Sequence, residues 1–417
     1  NSARNQFSSF SFGRLKLDCT ITKVLTLPNN RSSYSGLGLA RAAEGKAKNA
    51  GYKIGSYSIF GFYYSGGSVG AHASVGGKRY WAPGNGGSTM HEMGHVFGFP
   101  HQNYWNPDAQ NPIGAGKLEK DVFSFMTSAG IHPEPYEKWR CKWITKRHDV
   151  SSNGSFRKRL YNFDNPSIDP ANAHRTIRVN RVTSTKKTYW LGYRSKSMKN
   201  KSKGGTNTAL RQGLIFWWGR SSGSPVLMDI HTSSTLDDRS LQPGETFFDT
   251  AGKVYITNLG RGGKAPNEYL DVQINRGSFT GNKAPVVSWD LPSIWKKGVP
   301  LPIHVEGSDP DGDKLVCSWK FQTGGPTANN TNMAITKKWV KTGKYSVTAM
   351  VSDMKGKKVT LRKTITIANS FPTVDWIGVQ QQGPRPTDVS WSLSNNWKSG
   401  VPDKRSTIAR WQQTFTG

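Results

Sequence analysis

The spacing of apolar positions changes along the chain, and the change marks a different kind of unit. In "RLKLDCTIT", Leu15, Leu17, Cys19 and Ile21 alternate with polar residues, which predicts a half-buried strand. "SGLGLARAAEGKAKNAG" predicts a helix that begins after Ser35 and stops at Gly51. "YSIFGFYY" and "KRYWA" read as strands, and "TMHEMGHVF" as a second helix closed by Gly98. "PEPYEKWRCKWI" sets Tyr136, Trp139 and Trp143 at i, i+3 and i+7, predicting a third helix with one aromatic face.

Beyond about residue 150 the period becomes two. "TYWLGYR", "GLIFWW", "PVLMDI", "ETFFD", "KVYITNL" and "EYLDVQI" are short strands separated by Gly, Pro and Ser, the pattern of a β-sandwich. "GNKAPVV" reads as a join to a further all-β unit. There, Leu315, Cys317 and Trp319 alternate, so Cys317 is expected as a buried free thiol. "VSWDLPSIWKKGVP" at 287–300 recurs as "VSWSLSNNWKSGVP" at 389–402, too near the end of the chain for a second full sandwich. The expected division is 1–150 mixed α/β, 151–280 β-sandwich, 281–369 a second all-β unit, and 370–417 a partial repeat or C-terminal extension.

Composition adds a strong bias. Among 417 residues, 57 Lys+Arg face 27 Asp+Glu, a formal charge of +30. Such a surface attracts an anionic partner: nucleic acid, an acidic polysaccharide or glycoprotein, or an anionic cell surface, of which the polysaccharide or glycoprotein best suits an exported protein. Residues 194–211 carry six basic residues and no acid, read either as a solvated hairpin loop or as a polyanion contact. No zinc-finger spacing, RNA-binding signature or basic helix is present, so no specific nucleic-acid partner is expected. No stretch approaches the ~20 apolar residues of a membrane span. The first residue is Asn rather than Met, as expected of a processed, exported chain, and the protein is read as an extracellular monomer.

The chemistry concentrates in "STMHEMGHVFGFPHQ". Only 9 histidines occur in the chain, and three fall here. His91 and His95, at i and i+4, share one face of the helix and can bind one zinc ion. Glu92 stands beside them as a candidate general base. Gly98 ends the helix with a positive φ and turns the chain back, so that His101 becomes the third ligand. Three ligands and an adjacent carboxylate leave one coordination position open, as catalytic zinc sites do and structural ones do not.

His-Glu-x-x-His-x-x-Gly-x-x-His, carried by His91, Glu92, His95, Gly98 and His101, resembles the motif of the metzincin zinc endopeptidases. The resemblance implies an α+β metzincin-like catalytic domain followed by all-β sandwich domains, in a multidomain chain. It assigns Met126, in "SFMTSAG", to a hydrophobic floor under the imidazoles. The position two residues on is Ser128, so no tyrosine ligand is expected, and Tyr136 belongs to the aromatic helix face. Gln102 stands where two subgroups carry Asp. The sandwich strands make the closest likeness that of gametolysin-like secreted proteases. Residues 70–75, around His72, fall where the family pairs an edge strand with extended substrate; His72 itself lacks an identifiable metal-binding partner. His132 falls either on the wall of the specificity pocket or in a surface loop. "SDPDGDKLVCSWKF" and "YSVTAMVSD" resemble a PKD-type immunoglobulin-like module. Asp309, Asp311 and Asp313 can be read as a calcium loop or as a plain acidic turn. Cys19 and Cys141 could be bridged in an exported protein.

The functional expectation is a secreted zinc endopeptidase acting on extracellular-matrix, cell-wall or other structural (glyco)proteins. The alternative is a cationic matrix- or polysaccharide-binding protein with a vestigial zinc site.

Overall fold

The computed structural model describes residues 2–370, apart from 66–69, 85–87, 108–112, 122, 128–131, 166–172, 184–187, 196–197, 200–205, 208–209, 211–212, 220–223, 232–239 and 323–330. These residues are mostly β, with four short α-helices: α1 (Ser2–Phe10), α2 (Gly36–Asn49), α3 (Thr89–Val96) and α4 (Pro135–Arg140). Asn1–Asn369 form one compact unit. The second copy of the 287–300 repeat lies outside the described residues. Among the described residues, no helix is long and apolar enough to cross a membrane.

The N-terminal part holds a three-stranded sheet in which Arg79–Pro83 is central, parallel to Phe60–Tyr64 and antiparallel to His72–Ala73. Helix α3 packs on it. Phe7 and Phe10 of α1, Met90, Met93 and Val96 of α3, Phe125, Met126 and Trp143 form one aromatic-rich core.

The middle of the molecule is a seven-stranded sheet in the order Gly116–Lys120, Asn103–Pro107, Val226–Met228, Leu214–Gly219, Thr188–Tyr193, Ile177–Asn180, His148–Val150. Both faces of the sheet's central strands are covered. Leu214, Phe216 and Trp218 face the core shared with a four-stranded sheet made from Thr246–Asp249, Val254–Gly262, Tyr269–Arg276 and Gly154–Tyr161. Ile215 and Trp217 face a second core with Tyr104, Phe123, Phe163 and Trp190. A strand buried on both sides needs apolar residues at every position, which is why "GLIFWW" is continuous rather than alternating. Three of the seven strands, Asn103–Pro107, Gly116–Lys120 and His148–Val150, come from residues 1–150. The sheet therefore crosses the division expected there.

Residues 286–368 form a two-sheet unit around its own core, including Leu301, Ile303, Cys317, Trp319, Val347 and Ile365. Cys317 is fully buried and its thiol is pushed up to about 12 by burial. This unit is seated on the sandwich: Asn275 Nδ2 donates to Met354 O at 2.7 Å. A Cβ on Gly244, whose φ is +83°, would stand 2.2 Å from Cys317 O.

Three local expectations need correction. Residues 15–22 belong to no strand among the described residues: Leu15 and Leu17 pack on the α1–α3 core while Ile21 is left 91 % exposed. The aromatic face of the third helix is divided. α4 ends at Arg140 and Lys142 takes a φ of +57°, so Tyr136 and Trp139 pack on one core and Trp143 on the other. Cys19 is exposed and unbridged, while the Cys141 thiol faces Phe97 O at 3.7 Å, so the disulfide does not form.

Candidate metal centre

Helix α3 carries its own instructions for burial. Met90, Met93 and Val96 anchor it to the core, and Gly94 lets it lie directly on the turn that follows: a Cβ there would stand 2.6 Å from Met126 Sδ and from Phe125 Cε1. Met126 is buried against Gly94 of α3. Gly98 has a φ of +89° and returns the chain toward that face, its amide capping His95 O at 2.7 Å.

His91, His95 and His101 converge, with one ring nitrogen from each lying within 4.8 Å of the others. His91 Nε2 and His101 Nε2 are 3.1 Å apart. A zinc ion bound tetrahedrally at ~2.0–2.1 Å separates two nitrogens by ~3.3 Å, so the spacing fits a shared ion. His95 Nδ1 is 2.7 Å from Phe99 O. That bond calls for a proton on Nδ1, which leaves Nε2 as a lone-pair donor. Burial holds the imidazoles of His91 and His95 below their ordinary values, His91 at about 4, with the neighbouring histidines adding to the effect. Both rings are neutral near pH 7, as ligation requires.

Glu92 is 4 % exposed and its Oε2 has no hydrogen-bond partner among the described residues. Burial pushes this carboxyl up to about 7. An unpartnered buried carboxyl beside three convergent imidazoles has the proton affinity of a general base or acid near neutrality. The residues present therefore fit a catalytic metal ion.

Other candidates fall elsewhere. His72 lies tilted against Trp81, ring centroids 4.9 Å apart, and contributes no ligand to the cluster. Gly76 N donates to His95 O at 2.7 Å, which ties the turn after His72–Ala73 to α3. His132 is buried rather than on a surface loop, with Lys138 Nζ donating to its Nδ1 at 2.9 Å. Lys138 also donates to Phe163 O at 2.7 Å, and burial holds its ammonium well below the ordinary value. Ser128 and most of 194–211 lie outside the described residues; Arg194 itself is buried, its Nη2 donating to His132 O at 3.2 Å. In the acidic loop, Asp309 Oδ1 accepts the amides of Asp311 and Asp313 at 2.8 and 3.4 Å, and Asp313 pairs with Lys355. Asp309 Oδ2 is buried without a partner among the described residues.

Sequence reading did not single out Glu137, Arg140 and Ser224, which are joined by hydrogen bonds beside Gln102 and the end of α3. Arg140 Nη2 donates to Phe97 O at 3.1 Å and to Glu137 Oε2 at 2.9 Å. A Cβ on Gly98 would stand 2.5 Å from Arg140 Nη1. The sequence carries only the sign of these charges, with nothing to link them to the histidines.

Residues 287–366 match the PKD domain family, so this unit is a PKD domain. The pre-pro-metalloprotease PrtV from two strains of Vibrio cholerae serotype O1 is 29 % identical over 143 residues, covering 31 % of this chain. The chain spans 15 % of the length of those curated relatives. Similar solved structures include the PKD1 domain of Vibrio anguillarum Epp (26 % identity, 21 % of this chain and 95 % of that one, TM-score 0.18). The PKD1 domain of the Vibrio cholerae metalloprotease PrtV is another (33 % identity, 20 % and 98 %, TM-score 0.18).

Proposed function

We propose that this protein is a secreted zinc endopeptidase of the metzincin type. Its α+β catalytic part is built around α3, and its β-sandwich and PKD domain direct it to extracellular-matrix, cell-wall or other structural (glyco)proteins. The observation that carries this reading is the convergence of His91, His95 and His101 beside the unpartnered, buried Glu92 carboxyl. The partial similarity to a metalloprotease supports it.

His91, His95 and His101 would hold the zinc ion, which supplies Lewis-acid polarisation of the scissile carbonyl and acidifies the attacking water. Glu92 takes the proton from that water through Oε2 and delivers it to the leaving amine nitrogen. Its raised proton affinity suits both transfers near neutral pH. His95 is kept in the ligating tautomer by Phe99 O. Met126 closes the floor beneath the rings. The strand His72–Ala73 offers the edge along which an extended substrate would lie. Calcium in the Asp309 loop is the accessory-metal reading, carried by the unpartnered Asp309 Oδ2.

The charge of +30 favours one further reading, a matrix-binding protein with a vestigial metal site. The retained Glu92 weighs against it, because binding alone needs no buried carboxyl beside the ligands. Peptide mapping of a denatured protein substrate separates the two. Cleavage is expected that a zinc chelator abolishes and added zinc restores; a zinc-loaded chain that leaves the substrate intact sinks the endopeptidase reading.

A further inference from the structure

The third histidine is not mounted on the helix that carries the other two. His101 runs directly into Asn103–Pro107, a strand of the seven-stranded sheet. That strand pairs in parallel with Val226–Met228, Tyr104 opposite Leu227 and Trp105 opposite Met228. Asp229 N closes the same pair on Trp105 O at 3.1 Å. His101 is exposed, and its ring neighbours are the two other imidazoles. Its direction is therefore set by the backbone beneath it.

That backbone is held by one carboxylate. Gln102, next to His101, is buried, and its Nε2 donates to Glu137 Oε1 at 3.1 Å. Ser224, just before the strand Val226–Met228, donates its hydroxyl to the same oxygen at 2.7 Å. Arg140 donates Nε and Nη2 to Oε2 at 3.0 and 2.9 Å, and the same Nη2 reaches Phe97 O at the end of α3. Glu137 is 1 % exposed and receives four donors from three places: the third-ligand segment, its own helix, and the loop entering the sandwich strand. A buried carboxylate is costly to desolvate unless fully bonded. This one is, and its bonds span the groups whose relative position sets the metal geometry.

We propose that Glu137 is the positioning residue of the third metal ligand. Through Gln102 and Arg140 it fixes His101 relative to the end of α3. Through Ser224 it fixes both to the β-sandwich, which makes the sandwich a structural part of the metal centre rather than an appended domain. The inference rests on the metal-site reading of the three histidines.

The test uses the full chain and measures zinc affinity by competition with a chromophoric chelator, together with the visible absorption of the cobalt(II)-substituted protein. E137A is expected to bind zinc about 10- to 100-fold more weakly, as loss of an outer-shell support does, with an altered cobalt spectrum. E137Q keeps an acceptor for Gln102 and Ser224 but turns an amide toward Arg140, so it is expected to lie between E137A and wild type. S224A removes one donor and is expected to weaken zinc several-fold. Thermal unfolding of the metal-free proteins separates a purely stabilising role, which would shift the midpoint and leave the cobalt spectrum unchanged. If E137A does not fold, E137Q and S224A decide. Wild-type zinc affinity and a wild-type cobalt spectrum in the folded variants overturn the inference alone. A wild-type chain that takes up no metal overturns the metal centre, and the inference with it.

Discussion

Gly98 meets two demands at once, a φ of +89° and the guanidinium of Arg140 lying where a side chain would begin. Alanine can satisfy neither without strain. G98A is expected to cost roughly 1–3 kcal/mol, from the left-handed backbone and the displaced arginine together. Chemical denaturation of G98A beside wild type checks this; equal midpoints would mean the turn adapts freely. This glycine was legible in the sequence because its role is local: it stands three residues after one histidine and three before another. Glu92 was legible for the same reason. Glu137 was not. It reaches Gln102 and Ser224 across long stretches of chain, and a single sequence holds no record of which distant residues meet.

Among the elements, α3 was the most readable, because an i, i+4 pair of histidines and the apolar residues between them indicate both its phase and its buried face. Asn103–Pro107 was the least: five residues ending in proline show no period, and one of its two partner strands lies more than a hundred residues away. The join of sandwich strands to the sheet edge contains a second element-scale feature. His148 and His174 stack face to face, centroids 3.8 Å apart and 5° from parallel. Burial and the neighbouring ring hold His148 at about 4, and burial also lowers His174, with Lys146 and Lys158 facing the pair and Asp149 partly opposing them. Between about pH 6.5 and 4 the folded chain therefore binds fewer protons here than the unfolded chain, and stability falls as pH drops through that window. After discounting for partial exposure, His148 contributes roughly 1–2 kcal/mol of this loss. Denaturation midpoints at pH 7 and 4.5 are expected to differ less in H148Q than in wild type. An equal acid loss in both would place the sensitivity elsewhere.

At the scale of the whole molecule, charge and architecture point the same way. Lys and Arg outnumber Asp and Glu by 30, and a surface of that sign attracts acidic polymers through screened Coulomb forces. Retention on an acidic polysaccharide matrix is expected to fall steeply between low and high salt, because exposed charges are screened within about 10 Å at 0.1 M ionic strength. Retention that ignores salt would point instead to specific pockets in the β-domains. The PKD domain is seated on the sandwich, and the sandwich sheet runs into the strand that carries the third histidine onward. Composition announced the charge, and period two announced the β-units. The continuity between them had no local signature, since it depends on a sheet that joins strands from both sides of residue 150.

The central claim is that His91, His95 and His101 hold a zinc ion with which Glu92 acts as the proton carrier. The most direct measurement sets E92A beside wild type, recording zinc content and the rate of cleavage of a denatured protein. The expected result is one zinc per chain in both, with cleavage by E92A lower by roughly 100- to 10,000-fold, the usual worth of a general base. Wild-type cleavage by a zinc-replete E92A would contradict the mechanism.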